Sequence, residues 1–114
     1  MELNLSQFIG TERYYPHFTR LLQHTDGVQY LAEKCGAFWL IDVCASWQTK
    51  TKVRNEPFQL WSIKVHDGDT ATVKMQRDSG LKPIITQEIP YTDFPIKEFE
   101  WYVCDGIMLL KSEY

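Results

Sequence analysis

Nowhere does the sequence approach the ~20 consecutive apolar residues that a membrane-spanning helix needs. The opening stretch, MELNLSQFIGTERYYPHF, lacks the basic start and apolar run of a secretory signal. Cysteine is scarce. Cys35, Cys44 and Cys104 are odd in number and without Cys-x-x-Cys spacing, which argues against a disulfide framework or structural zinc and for a reducing, cytoplasmic setting. Charge of one sign is lacking too: a net charge of -3 gives no field that calls for nucleic acid or an anionic membrane as partner. Also missing are the Walker loop, the Gly-x-Gly-x-x-Gly turn, the Gly-x-Ser-x-Gly elbow and the His-Glu-x-x-His helix. With them go the commonest nucleotide-binding and hydrolase chemistries. No repeat or Gly/Ser-rich linker divides the 114 residues, so 1–114 reads as a single domain.

What the chain has in quantity is aromatic surface: four Trp, six Tyr and six Phe, within a hydrophobic content of 44%. That favours a folded core over disorder. Asp-Gly pairs at Asp26-Gly27, Asp67-Gly68 and Asp105-Gly106 supply the positive φ that tight turns need. The segment from Tyr15 to His24 reads as a short strand. Thr25-Asp26 then offers an N-cap to a helical run that reaches Trp47. Val28, Leu31, Ala32, Cys35, Trp39 and Val43 form one stripe at helical spacing, and continuing that phase places Asp42 and Ser46 inside it. Gly36 marks a bend or a close backbone approach within one long or broken, largely buried central helix.

The second half reads as sheet. Trp61, Ile63 and Val65 alternate with Ser62 and Lys64; Ala71, Val73 and Met75 alternate with Thr72, Lys74 and Gln76. The two apolar sets share a face only if the connecting loop has an odd number of residues, which a three-residue loop with a Gly bulge provides. Pro83 to Ile89 is a third strand, and residues 99–111 form a hairpin around Asp105-Gly106. That hairpin is apolar on both sides: Trp101, Val103, Met108 and Leu110 on one, Tyr102, Cys104, Ile107 and Leu109 on the other. The helix covers one side; the N-terminal segment, or another chain in a homodimer, must cover the other. The expected architecture is α+β, the central helix on an antiparallel sheet of about four to six strands.

Asp42 is the sharpest chemical feature, because a carboxylate in an apolar stripe must be hydrogen-bonded, paired or protonated. It serves as a hydrogen-bond anchor for the fold, or with a histidine as a general acid or base with a raised pKa, or, in a different helix phase, it lines a ligand pocket or faces solvent. Cysteine nucleophiles supported by His17, His24 or His66 are disfavoured by apolar surroundings. Metal sites at His17 and His24, or at His66, Asp67 and Asp69, lack ligand number and spacing, so neither metal nor cofactor is expected. Lys50, Lys52, Arg54, Lys64 and Lys74 read as a solvated face rather than a nucleic-acid site. In YTDFP, Tyr91 to Pro95, either Thr92 or Asp93 caps a turn, or the two prolines rigidify a recognition loop.

Thr25-Asp26-Gly27, the run Gly36 to Asp42, Thr92 to Pro95 and Ser112-Glu113-Tyr114 together resemble a small bacterial family of unknown function that the resemblance also places among phage and mobile elements. Lys111 stands where that resemblance leads one to expect proline. It implies no activity and no catalytic residues. Its implied setting is that of small acidic proteins that block larger machines, an anti-CRISPR-like inhibitor of a host defence effector among them. The expected function is therefore a non-enzymatic protein-binding module. Tyr91, Phe94 and Tyr114 are its aromatic anchors, and Asp93 and Glu113 oppose basic sites on the partner. A small enzyme or ligand-binding protein using Asp42 with a histidine is the alternative.

Overall fold

The structure is a computed structural model and describes residues 4–10 and 13–114. Seven strands form one sheet: β1 (Tyr14–Pro16), β2 (Gln23–Thr25), β3 (Phe58–Val65), β4 (Ala71–Gln76), β5 (Ile85–Ile89), β6 (Glu98–Cys104) and β7 (Ile107–Leu110). Three helices, α1 (Asp26–Cys35), α2 (Phe38–Trp47) and α3 (Thr51–Arg54), lie between β2 and β3 in the chain, and a 3₁₀ turn, Lys111–Glu113, follows β7. The spatial order is β1-β2-β7-β6-β3-β4-β5. All neighbours are antiparallel except β2 and β7, which run parallel. The α+β class holds, with more strands than expected, because the segment read as one strand is a hairpin: β1 and β2 pair Tyr14 with Thr25 and Pro16 with Gln23.

The helical run is two ten-residue helices rather than one central helix. Thr25 caps α1 by accepting the Val28 N–H at 3.3 Å. Gly36 ends it in the left-handed conformation, φ 62°, where a side chain would be strained, and Ala37 N–H returns to the Ala32 carbonyl. That break resets the rotational phase. Val28, Leu31, Ala32 and Cys35 are buried as the stripe requires, but α2 turns Leu40, Ile41, Cys44 and Ala45 inward. Asp42 and Ser46 therefore face solvent, and the expectation of a buried Asp42 is corrected.

All three helices pack on one face of the sheet, over Trp61, Ile63, Val73, Met75, Trp101, Val103 and Met108. Trp61 and Trp101 stack at 6.3 Å across β3 and β6. The Trp101 indole N–H donates to Cys44 Sγ at 3.3 Å, joining α2 to the sheet. The two buried amides Gln48 and Gln59 bond each other at 2.9 Å, and Gln59 Oε1 also accepts the Trp61 indole N–H. This satisfied pair fixes the end of α2 against β3, since unpaired amides there would carry their full desolvation cost. The β3–β4 register, Ile63 with Val73 and Trp61 with Met75, puts both apolar sets under the helices. His66 N–H donates to the Thr70 carbonyl at 2.7 Å, which closes a three-residue loop, Asp67-Gly68-Asp69, of the odd length the register demands.

Candidate functional site

Two surfaces stand out. The first is the β1–β2 loop, His17 to Leu21. Its backbone closes on itself: His17 N–H donates to the Leu22 carbonyl and Arg20 N–H to the His17 carbonyl, both at 2.9 Å. Arg20 takes a left-handed φ of 64° to make the turn. Within the loop, Thr19 N–H approaches His17 Nδ1 at 3.2 Å and the Thr19 hydroxyl lies 2.9 Å from the same nitrogen. With Nδ1 accepting, Nε2–H is the donor to Asp42 Oδ1, at 2.8 Å. The His17–Asp42 pair thus fastens the loop to α2. Phe18 stacks on the His17 ring at 4.4 Å yet is 87% exposed. Phe38, one helical turn before Asp42 and so on the same helix face, is also exposed.

Thr19, His17 and Asp42 have the order hydroxyl–imidazole–carboxylate, which is the arrangement of a nucleophilic relay. The surroundings differ from those of such a site. The Asp42 side chain is 66% exposed, and the Thr19 hydroxyl also accepts the Leu21 N–H within its own turn at 3.3 Å. The arrangement fixes the His17 ring, on which Phe18 stacks.

The second surface is the sheet face away from the helices. Here β6 and β7 present Tyr102, Cys104, Ile107 and Leu109, each half-buried. Tyr114 folds back over Phe58 and Tyr102, with ring centroids at 5.5 and 5.1 Å. Beyond them a cleft of about 970 Å³ is lined by Leu5, Ser6, Lys64, Lys74, Glu88 and Glu98 among others. Lys111 pairs with Glu100 at 2.8 Å, and this hydrogen bond holds the ammonium above its ordinary pKa. His66 Nε2 lies 2.8 Å from the Thr72 hydroxyl, which in turn donates to Glu88 at 3.0 Å.

The residues expected to bind a partner are placed unequally. Tyr91 and Tyr114 are exposed at 71% and 69%, and Asp93 is exposed. Phe94 is a correction: it is buried at 4% and packs beside Phe99. Thr92 turns it inward, accepting the Phe94 N–H at 3.1 Å while its own N–H donates to the Asp69 carbonyl, so the turn-capping reading of YTDFP holds. Glu113 is half-buried at the start of α1, where it accepts from the Thr25 hydroxyl and from Gly27 N–H; it is engaged with its own chain rather than presented to a partner. Burial pushes the Cys44 thiol far up, and raises Cys35 and Cys104 as well, which makes poor thiolates of all three. Among the described residues no three His, Cys, Asp or Glu side chains converge on a metal-sized point.

Phe18 is not singled out by the sequence because residues 15–24 read as one continuous strand, in which it has no special position. The signal was present in His17-Phe18-Thr19: a Thr two residues after a His is set to hydrogen-bond back within a turn, and Pro16 just before it limits pairing.

In comparisons with known proteins, residues 1–114 match DUF6876, a family of unknown function. No curated protein and no solved structure matches the chain.

Proposed function

The chain belongs to this family of unknown function, and we propose that it is a non-enzymatic protein-binding module whose principal anchor is Phe18. One observation carries the reading. An almost fully exposed aromatic ring is held by a loop that is closed by its own backbone and pinned to α2 through His17 and Asp42. Aromatic anchors dominate interface energetics, and an anchor fixed before binding loses little conformational entropy on association. Phe38 extends the apolar area, while Arg20 and Asp42 supply a polar rim of both signs. Tyr91 and Asp93 remain exposed candidates elsewhere on the surface.

The finer form of the proposal, an inhibitor that occupies a host defence effector as an anti-CRISPR protein does, is supported by the resemblance in sequence alone. Quantitative capture from the lysate of its host tests both levels. Phe18→Ala should abolish recovery of a stoichiometric protein partner while leaving the thermal midpoint unchanged, and a nucleic-acid-handling effector in the captured fraction would favour the inhibitor. Capture indifferent to Phe18 sinks the anchor.

A further inference from the structure

The sheet face away from the helices carries a separate argument, independent of Phe18. One half of it is apolar, with Tyr102 against the exposed Tyr114 ring and Cys104, Ile107 and Leu109 half-buried beside it. The other half is charged, and its charges balance: Lys64, Lys74 and Lys111 stand against Glu88, Glu98 and Glu100 around one cleft. Cross-strand pairing orders them into rows. Glu100, Ser62, Lys74 and Thr86 lie in one; Glu98, Lys64, Thr72 and Glu88 lie in the next.

We infer that this face docks a second copy of the chain, sheet to sheet, about a two-fold axis. A two-fold interface sets a patch against itself, so a surface of one sign repels its copy, whereas a balanced one can set each cation against an anion of the other protomer. Two of these charges are left over among the described residues. Lys74 has no ion-pair or hydrogen-bond partner among the described residues, and Glu88 meets only the Thr72 hydroxyl there. They are diagonal neighbours on β4 and β5, a pair of opposite charges that a rotated copy can satisfy reciprocally. Five strands from β7 to β5 make four spacings of ~4.8 Å, about 19 Å in all, and at about 20 Å of strand length the face projects roughly 400 Å², a size for weak, concentration-dependent association rather than the ~800 Å² per partner of a standard interface. Leu109, Tyr102 and Tyr114 form the apolar half of the interface and the lysine and glutamate rows its charged half.

Sedimentation equilibrium of the full chain tests this. The mass should rise with concentration from 13.4 kDa toward twice that value, over a range of about 1 to 300 µM. Leu109→Lys should weaken association at least about tenfold. Lys74→Glu, an exposed change that unbalances the rows, should weaken it too, most visibly at low salt. Phe18→Ala should leave it intact. A mass of 13.4 kDa throughout, as for a face that is solvated or kept for a different protein, overturns the inference. So does a dimer that both face variants leave unchanged. If Leu109→Lys fails to fold, Lys74→Glu alone decides the matter.

Discussion

The Thr25 hydroxyl donates to Glu113 Oε1 at 2.6 Å, across 88 residues of sequence. The same carboxylate accepts from Gly27 N–H at the start of α1 and, at 2.9 Å, from Leu110 N–H at the end of β7. A negative charge there also complements the positive end of the helix dipole. Gly27 is part of the device: a Cβ at that position would lie 2.6 Å from Glu113 Oε1. Two of the short motifs singled out in the sequence, Thr-Asp-Gly and Ser-Glu-Tyr, are therefore two sides of one clasp.

Glu113→Ala should destabilise the fold by about 1–3 kcal/mol, the cost of losing hydrogen bonds to a charged group. Gly27→Ala should destabilise it as well, by forcing the carboxylate aside. The double variant should lose less than the two single losses added together, because removing Glu113 relieves the clash. Urea unfolding of the four proteins measures the coupling, and strict additivity would refute the clasp.

Acid should weaken the β1–β2 hairpin through His24. Burial lowers its pKa from 6.5, outweighing the hydrogen bond to Gln29, and the His17 charge adds to the lowering. A base with a depressed folded-state pKa binds more protons unfolded than folded. Its neutral-form stability is complete above the unfolded value of 6.5 and falls away as the pH drops below it toward the folded pKa. His24→Gln should flatten that part of the stability–pH curve, measured by urea midpoints across the range. An equally steep curve in the variant would assign the effect elsewhere.

The His17–Asp42 hydrogen bond should contribute only about 0.5–1.5 kcal/mol to stability, as a single intramolecular hydrogen bond does. Asp42→Asn should consequently fold normally. Its loop amides, from His17 to Leu21, should exchange hydrogen faster, and partner binding through Phe18 should weaken with them. Unaltered exchange would mean that the loop holds itself without α2.

Phe94→Ala should cost about 3–5 kcal/mol, as deletion of a buried aromatic does, while Tyr91→Ala should stay within about 0.5 kcal/mol because its side chain is exposed. Thermal melts of the two variants separate a core residue from a surface one within the same five-residue stretch.

Gln59→Leu should cost about 1–3 kcal/mol by stranding the Trp61 N–H and the Gln48 amide in the core. Adding Gln48→Leu should restore part of the loss, read by the same urea titration. No recovery would show that the Trp61 N–H dominates the network.

Local pattern was enough to place several elements. The alternation of Trp61-Ile63-Val65 with Ser62-Lys64 and that of Ala71-Val73-Met75 specify which sides face the core and demand an odd loop, because side chains alternate strictly along a strand. The Thr25 cap and the first stripe, Val28 to Cys35, likewise follow from helical period alone. Phase is where legibility ended. A single left-handed residue at Gly36 rotates everything after it, and that rotation moved Asp42 from the core to the surface.

The candidate sites depended on partners distant in sequence. Nothing local to His17 identifies Asp42, 25 residues away, as what fixes the Phe18 loop, and nothing local to Glu113 identifies Gly27. The sequence by itself determined the class of fold, the strand faces and the ordinary chemistry of the cysteines, since periodicity and residue type act over a few residues. Tertiary structure alone decided which polar groups are satisfied and which aromatic rings stay in water. Those outcomes depend on contacts between segments whose separation along the chain carries no signal of their distance in space.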